Sequence, residues 1–257
     1  MADDLLRAES DVAVAQWIAP RLGELGSVAG TAPNGFEAYM RVCHPADRDG
    51  RLYTWAQVAR ETGRAVHPLM QWHALVGASD DLNMSDSTWP GGNPQRGNLE
   101  PSVLGPLCAV LGEHTVTPEA CVLGLWYGYG FIDGGWVTIG YPVGSGRVGG
   151  NRQVPPAFSR DRPTLVLPAR EYFLFRGPID AALEMSSRWD QSPNLFWPDD
   201  RAWFMASEID FDSTVIGGSS ELAQALLAKP ELDAWPVEAG DLLTATADQI
   251  NHVPPAT

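Results

Sequence analysis

Between Trp203 and Asp212, inside the run from Ser192 to Gly218, apolar and acidic side chains alternate. Trp203, Met205, Ile209 and Phe211 fall on one side of a predicted β-strand, and Glu208, Asp210 and Asp212 fall on the other, because successive strand residues face opposite ways. One face suits a core. The other sets three carboxylates about 7 Å apart, and they repel unless water, arginine or a cation answers them. Any fold of this chain has to satisfy both faces of that segment.

The chain has 257 residues and 44% hydrophobic content, enough for a sizeable core. Its 32 acidic and 17 basic side chains leave a net charge of −15, which opposes nucleic acid and anionic membranes and favours a basic or neutral partner. The opening MADDLLRAESD lacks the order of a secretory signal, and the apolar run Cys121 to Ile132 is too short and glycine-rich to cross a bilayer, so a soluble, cytoplasmic protein is expected. Three widely spaced cysteines, Cys43, Cys108 and Cys121, argue against a disulfide framework.

Helical spacing from Val14 to Leu25, interrupted by Pro20, opens the chain, and a strand is predicted over Gly35 to Cys43. Thr54 and Gln57 have capping-box spacing ahead of a short helix stopped by Gly63, and a second helix is expected from Pro68 to Gly77. Turn formers fill Ser85 to Pro101, the best place for a subdivision of an otherwise single domain. A helix at Leu104 to Leu111 precedes strands at Ala120 to Tyr127 and Trp136 to Tyr141, which read as a meander. Residues 140–163 hold no recognisable element and are expected to be a long mobile loop. A hairpin over Thr164 to Arg176, a helix after Pro178, a helix capped by Ser219 or Ser220, and a strand near Trp235 complete the pattern. The sum is α+β: a mainly antiparallel sheet of five to seven strands with helices packed on one side, helices being enriched in the N-terminal half.

Asp210-Phe211-Asp212-Ser213-Thr214 matches the DxDxT signature of the haloacid dehalogenase superfamily. The resemblance implies a Mg²⁺-dependent phosphohydrolase, with Asp210 attacking phosphorus and Asp212 handling the leaving-group proton; Glu208, Asp210 and Asp212, sharing the acidic face of the predicted strand, are the candidate metal ligands. That signature belongs near the start of a long α/β domain, however, and only 43 residues follow it here. Gly144 to Gly149 spells GxGxxG, but Pro155 and Pro156 stand where the following helix should be. Five histidines show no metal-ligand spacing, and a nucleophilic Cys43 would need His67 or His114 brought to it by the fold. Ten tryptophans supply a further possibility: Trp189 and Trp197 lie beside Asp190, Asn194, Asp199 and Asp200, and rings next to amides and carboxylates suit a small polar ligand, a sugar or a basic peptide.

SPNLFWPDDRAWFMASEIDFDSTVIGGS, GLWYGYG and LPAREYFLFRG together resemble a group of actinobacterial proteins without an established activity, so the resemblance implies no catalytic residues. The expected function is therefore an acidic interaction or ligand-binding protein without a cofactor. Its ligand-binding surface would comprise Trp189, Asp190, Asn194, Trp197, Asp199 and Asp200, facing a basic protein or a small polar ligand. The phosphohydrolase, with Mg²⁺, and a sugar-binding module are the alternatives.

Overall fold

A computed structural model describes residues 5–82, 84–139, 150–154 and 157–251. In chain order the strands are β1 (Arg7–Glu9), β2 (Ala38–Cys43), β3 (Ala46–Arg48), β4 (Arg51–Tyr53), β5 (Cys121–Trp126), β6 (Gly135–Ile139), β7 (Gly150–Val154), β8 (Leu165–Leu167), β9 (Arg170–Gly177), β10 (Leu195–Pro198), β11 (Phe204–Ala206), β12 (Ser213–Gly218) and β13 (Ala234–Val237). The helices are α1 (Val28–Thr31), α2 (Trp55–Thr62), α3 (Trp72–Leu75), α4 (Pro101–Glu113), α5 (Ala181–Trp189) and α6 (Ser220–Leu227). The fold is α+β. Nine strands form one antiparallel sheet in the order β1-β9-β5-β10-β11-β12-β2-β13, with β8 also on β9; β3–β4 and β6–β7 are separate two-stranded ribbons.

The sheet is buried on both faces. Met40, Leu123, Phe173, Phe196, Met205 and Ile216 point to a core covered by α4, α5 and α6. Their strand neighbours Tyr39, Val122, Leu174, Trp197, Phe204 and Val215 point to a second core, closed by Ala15, Ile18 and Val28 from the N-terminal segment and by Leu243. A strand sandwiched in this way needs no polar face, so continuous runs such as LFWP and WFMA are what the architecture demands. A third core beyond the end of β2 is filled by Trp55, Trp72 and Trp89 under α2, α3 and the loop after them.

Local signals account for several boundaries. The capping box at Thr54 and Gln57 is formed, and Gly63 ends α2 at φ 70°, a left-handed conformation that glycine adopts without a Cβ clash. Ser219 caps α6. β8 and β9 pair as the expected hairpin, and β2, β5 and β13 lie where strands are predicted.

Other expectations need correction. The N-terminal helix is instead a pair of 3-10 turns, Val12–Ala15 and Ala19–Arg21, with Pro20 in the second. The predicted meander is absent, because β6 pairs with β7 while β5 lies between β9 and β10. β7 also lies within the stretch read as an elementless loop; GNRQV has little strand character, and it is the β-rich partner GWVTI that offers it a template. The Gly144 to Gly149 motif, with all of residues 140–149, falls outside the described residues. The alternating strand is the most consequential correction. β11 ends at Ala206, and Glu208 to Asp212 is a turn in which the Phe211 amide donates to the Glu208 carbonyl at 3.0 Å. Acidic residues favour turns over strand interiors, so a period of two in composition did not mean a period of two in space.

Trp203 pins the helical layer to the sheet: fully buried, it packs edge-on to Phe196 at 5.0 Å and its indole donates to the Leu111 carbonyl of α4 at 2.9 Å. Trp203→Ala is expected to lose about 3–5 kcal/mol in urea denaturation, and a loss below about 1 kcal/mol would show that α4 is held by other contacts.

Candidate functional site

The six residues expected to share a ligand-binding surface have separate structural tasks. Trp197, placed on that surface by the sequence, is 1% exposed and stacks on Phe204 at 5.6 Å in the second core. Trp189 is half-buried against Phe175 and Phe158 at the end of α5. Asp190 ends that helix at φ 56°, and its carbonyl accepts from Asn98 at 3.0 Å. Asn194 is buried; its amide donates to the Ser207 carbonyl at 3.1 Å and to the Tyr129 hydroxyl at 3.0 Å, while its oxygen accepts from the Trp126 amide at 2.9 Å. Asp199 pairs with Arg176 at 2.7 Å. Asp200 holds the 115–117 loop through Thr115 and the Val116 amide, both at 2.8 Å. Partial burial pushes its carboxyl up, but hydrogen bonds from the Ala202 amide, Thr115 and Val116 outweigh this and hold it below the usual range.

Tryptophans are likewise committed to packing. Of those with described side chains, Trp17, Trp126, Trp189 and Trp235 are half-buried and the rest are buried. The sugar-binding reading thus lacks an exposed ring platform among the described residues.

Glu208, Asp210 and Asp212 are answered by arginine. Arg170 donates to Glu208 at 2.7 Å and to Asp210 at 2.5 Å. Asp212, on the sheet side of the turn, lies 3.7 Å from the guanidinium of Arg41. No group of three His, Cys, Asp or Glu side chains among the described residues is arranged to hold a metal ion.

The turn nevertheless forms the floor of a cleft that sequence reasoning did not find. Asp210, Phe211 and Asp212 face Trp72 and His73 of α3, Asp81, Leu82 and Arg96 of the following loop, and the segment from Leu243 to Ala245. Three adjoining hollows of about 280, 490 and 260 Å³ share Asp81 and Leu82. Arg96 bends back on the loop, donating to the Asp81 carbonyl at 2.8 Å, and Asp248 clamps the far wall by accepting from the Gln71 amide at 3.1 Å and from His67 at 2.9 Å. Asp212 is 16% exposed, and Arg41 is the only side chain paired with its carboxylate among the described residues. Burial pushes its carboxyl above the ordinary range while the charges of Arg41 and Arg96 pull it back. A cation arriving in the cleft would meet a carboxylate that is only partly compensated. The acidic alternation and the DxDxT spacing marked Asp210 and Asp212 in the sequence; the loop and tail that complete the cleft carry no local signature.

Beneath the cleft runs a buried polar chain. His44 Nδ1 lies 2.6 Å from the Gln95 carbonyl, so it carries the proton; Nε2 then accepts from Thr214 Oγ1 at 2.8 Å, and Thr214 accepts from Ser207 Oγ at 2.6 Å. Burial pushes the imidazole pKa down to about 4, with the Gln95 hydrogen bond opposing and the charge of Arg41 assisting. The neighbouring Cys43 thiol is pushed well above its usual value by burial, with Arg41 opposing, and burial pushes Cys108 and Cys121 up to about 12. A nucleophilic Cys43 finds no support in such an environment.

Comparison of the chain with protein-family models, with curated proteins and with solved structures finds no match. No helix among the described residues is long and apolar enough to cross a membrane.

Two outcomes follow from the buried groups. Below about pH 6.5 the unfolded chain protonates His44 while the folded chain does not until about pH 4, so a contribution of the order of 3 kcal/mol present at neutral pH should drain away as pH falls through that window. Asp212 and Asp233, raised by burial, act in the opposite sense. Urea denaturation across the range should show a shallower pH dependence for His44→Asn than for wild type; parallel curves would remove His44 from this role. Secondly, a thiol reagent should label none of the three free cysteines in native protein and all three after unfolding. Rapid labelling of Cys43 in the native state would contradict its burial.

Proposed function

We propose that the protein is an acidic binding protein whose cleft over Asp212 accepts a cationic group, such as a lysine or arginine side chain of a basic partner. The observation that carries this reading is the incompletely paired Asp212 carboxylate, open to a cleft beside the half-buried ring of Phe211. An aromatic wall beside a carboxylate favours an ammonium or guanidinium by charge and by cation–π attraction. The net charge of −15 supplies long-range attraction to a basic surface. A small polar ligand bearing an amine is the simplest version of the same chemistry. The phosphohydrolase reading draws less support, because Arg170 and Arg41 stand where a divalent cation would have to compete for Asp210 and Asp212.

The test is titration of the protein with an arginine- and lysine-rich peptide, followed by tryptophan fluorescence or calorimetry. Binding should weaken steeply between about 0.05 and 0.5 M salt. It should also weaken as pH falls through the range where Asp212 takes up its proton, since the cation requires the charged form. Asp212→Asn should raise Kd about tenfold or more, the loss of one charge-assisted contact. Binding that ignores both salt and Asp212→Asn would remove this reading, and phosphatase turnover abolished by Asp210→Asn would replace it.

A further inference from the structure

A second surface carries the opposite charge. The tip of the β3–β4 hairpin is Asp49-Gly50, with φ of 57° and 79°, the two-residue turn whose left-handed backbone matches strand twist. This tight turn fixes the register, pairing Arg48 with Arg51 and Ala46 with Tyr53. Directly paired residues share a face, so Arg48, Arg51 and Tyr53 project together while Asp47 and Leu52 project oppositely. Two cross-strand arginines repel, and such an arrangement calls for a counter-charge.

Among the described residues the fold supplies only one. Glu61 of α2 accepts from both terminal nitrogens of Arg48, at 2.7 and 3.1 Å. Arg60, the neighbour of Glu61, donates to the Ala56 carbonyl of its own helix, at 3.3 Å. Arg51 lies over the Tyr53 ring at 5.0 Å, and Arg48 covers the same ring at 4.3 Å. Neither Arg51 nor Arg60 has a carboxylate partner among the described residues. These groups line an open groove of about 380 Å³ that shares no residue with the cleft over Asp212. Its balance is three guanidiniums to one carboxylate, in a chain that is otherwise strongly acidic.

We propose that this groove is an anion site that takes a phosphate monoester. Arginine forks match the tetrahedral oxygens of phosphate in number and spacing, and the two unpaired guanidiniums supply the charge that a dianion requires. Tyr53, in contact with both Arg48 and Arg51 and lining the same groove, gives the organic part of the ester an apolar contact. Extended polyanions such as duplex nucleic acid are disfavoured, because the surrounding charge repels every phosphate beyond those in the groove.

Calorimetric or NMR titration with phenyl phosphate and, separately, inorganic phosphate tests the assignment. Phenyl phosphate should bind saturably and more tightly than inorganic phosphate, and equal or weaker binding than inorganic phosphate would overturn the monoester assignment. The double variant Arg51→Gln/Arg60→Gln alters two exposed side chains, so it should keep the circular dichroism of wild type while weakening phenyl phosphate binding about tenfold or more. Arg7→Gln, an exposed arginine on β1, serves as the control and should bind as wild type does. The assignment is overturned if wild type shows no saturable binding of either probe, if the double variant binds unchanged, or if Arg7→Gln loses as much affinity as the double variant.

Discussion

Arg41 brings a permanent positive charge into the interior, and most of the structure around the cleft is arranged to satisfy it. It lies on β2, between β12 and β13, and is 1% exposed. Its guanidinium donates to Ser213 Oγ at 2.9 Å and to the carbonyls of Pro68 and Met70 at 3.2 and 2.7 Å, lies 5.1 Å from the Trp55 ring centroid, and faces Asp212 at 3.7 Å. A buried ion is tolerated only when its donors are used and its charge is answered. Meeting those demands ties together the sheet, the chain leading into α3, the third core and the turn after β11. The same demand places the Asp212 carboxyl beneath a half-closed cleft, where burial pushes its pKa up and the charge of Arg41 pulls it back.

The two charged surfaces are consequences of different parts of the sequence. The cleft arises where the 208–212 turn, α3 and the C-terminal segment meet around Asp212. The arginine groove is local, made by one tight hairpin and the helix that follows it. Tyr53, Trp89 and Trp72 join the two regions as successive edge-on rings, 5.3 and 6.3 Å apart, within the third core. This packing gives the small structure beyond the sheet a rigid aromatic interior.

Features set by near neighbours in the chain were legible without coordinates: the capping box at Thr54, the stop at Gly63, the cap at Ser219 and the hairpin over Thr164 to Arg176. The α+β class was also legible, since apolar runs separated by turn formers require a buried sheet. The site was not. The alternation from Trp203 to Asp212 looked like a strand, yet its acidic half is a turn whose carboxylates are answered by Arg41 and Arg170, far away in sequence. Trp197, followed by Pro198 and two aspartates, looked like a surface ring, and only the double-sided burial of β10 places it in a core. Both errors come from reading periodicity where long-range pairing decides.

The claim on which this account rests is that Arg41 and Asp212 act as one unit, and a double-mutant cycle measures it most directly. Arg41→Met, Asp212→Asn and the combined variant would be compared with wild type by urea denaturation at neutral pH. The account predicts that the two substitutions are coupled by about 1–3 kcal/mol, the double variant being less damaged than the sum of the single ones. Effects that add to within about 0.5 kcal/mol would show that the buried arginine is satisfied without the aspartate, and that the cleft floor is not organised around their pairing.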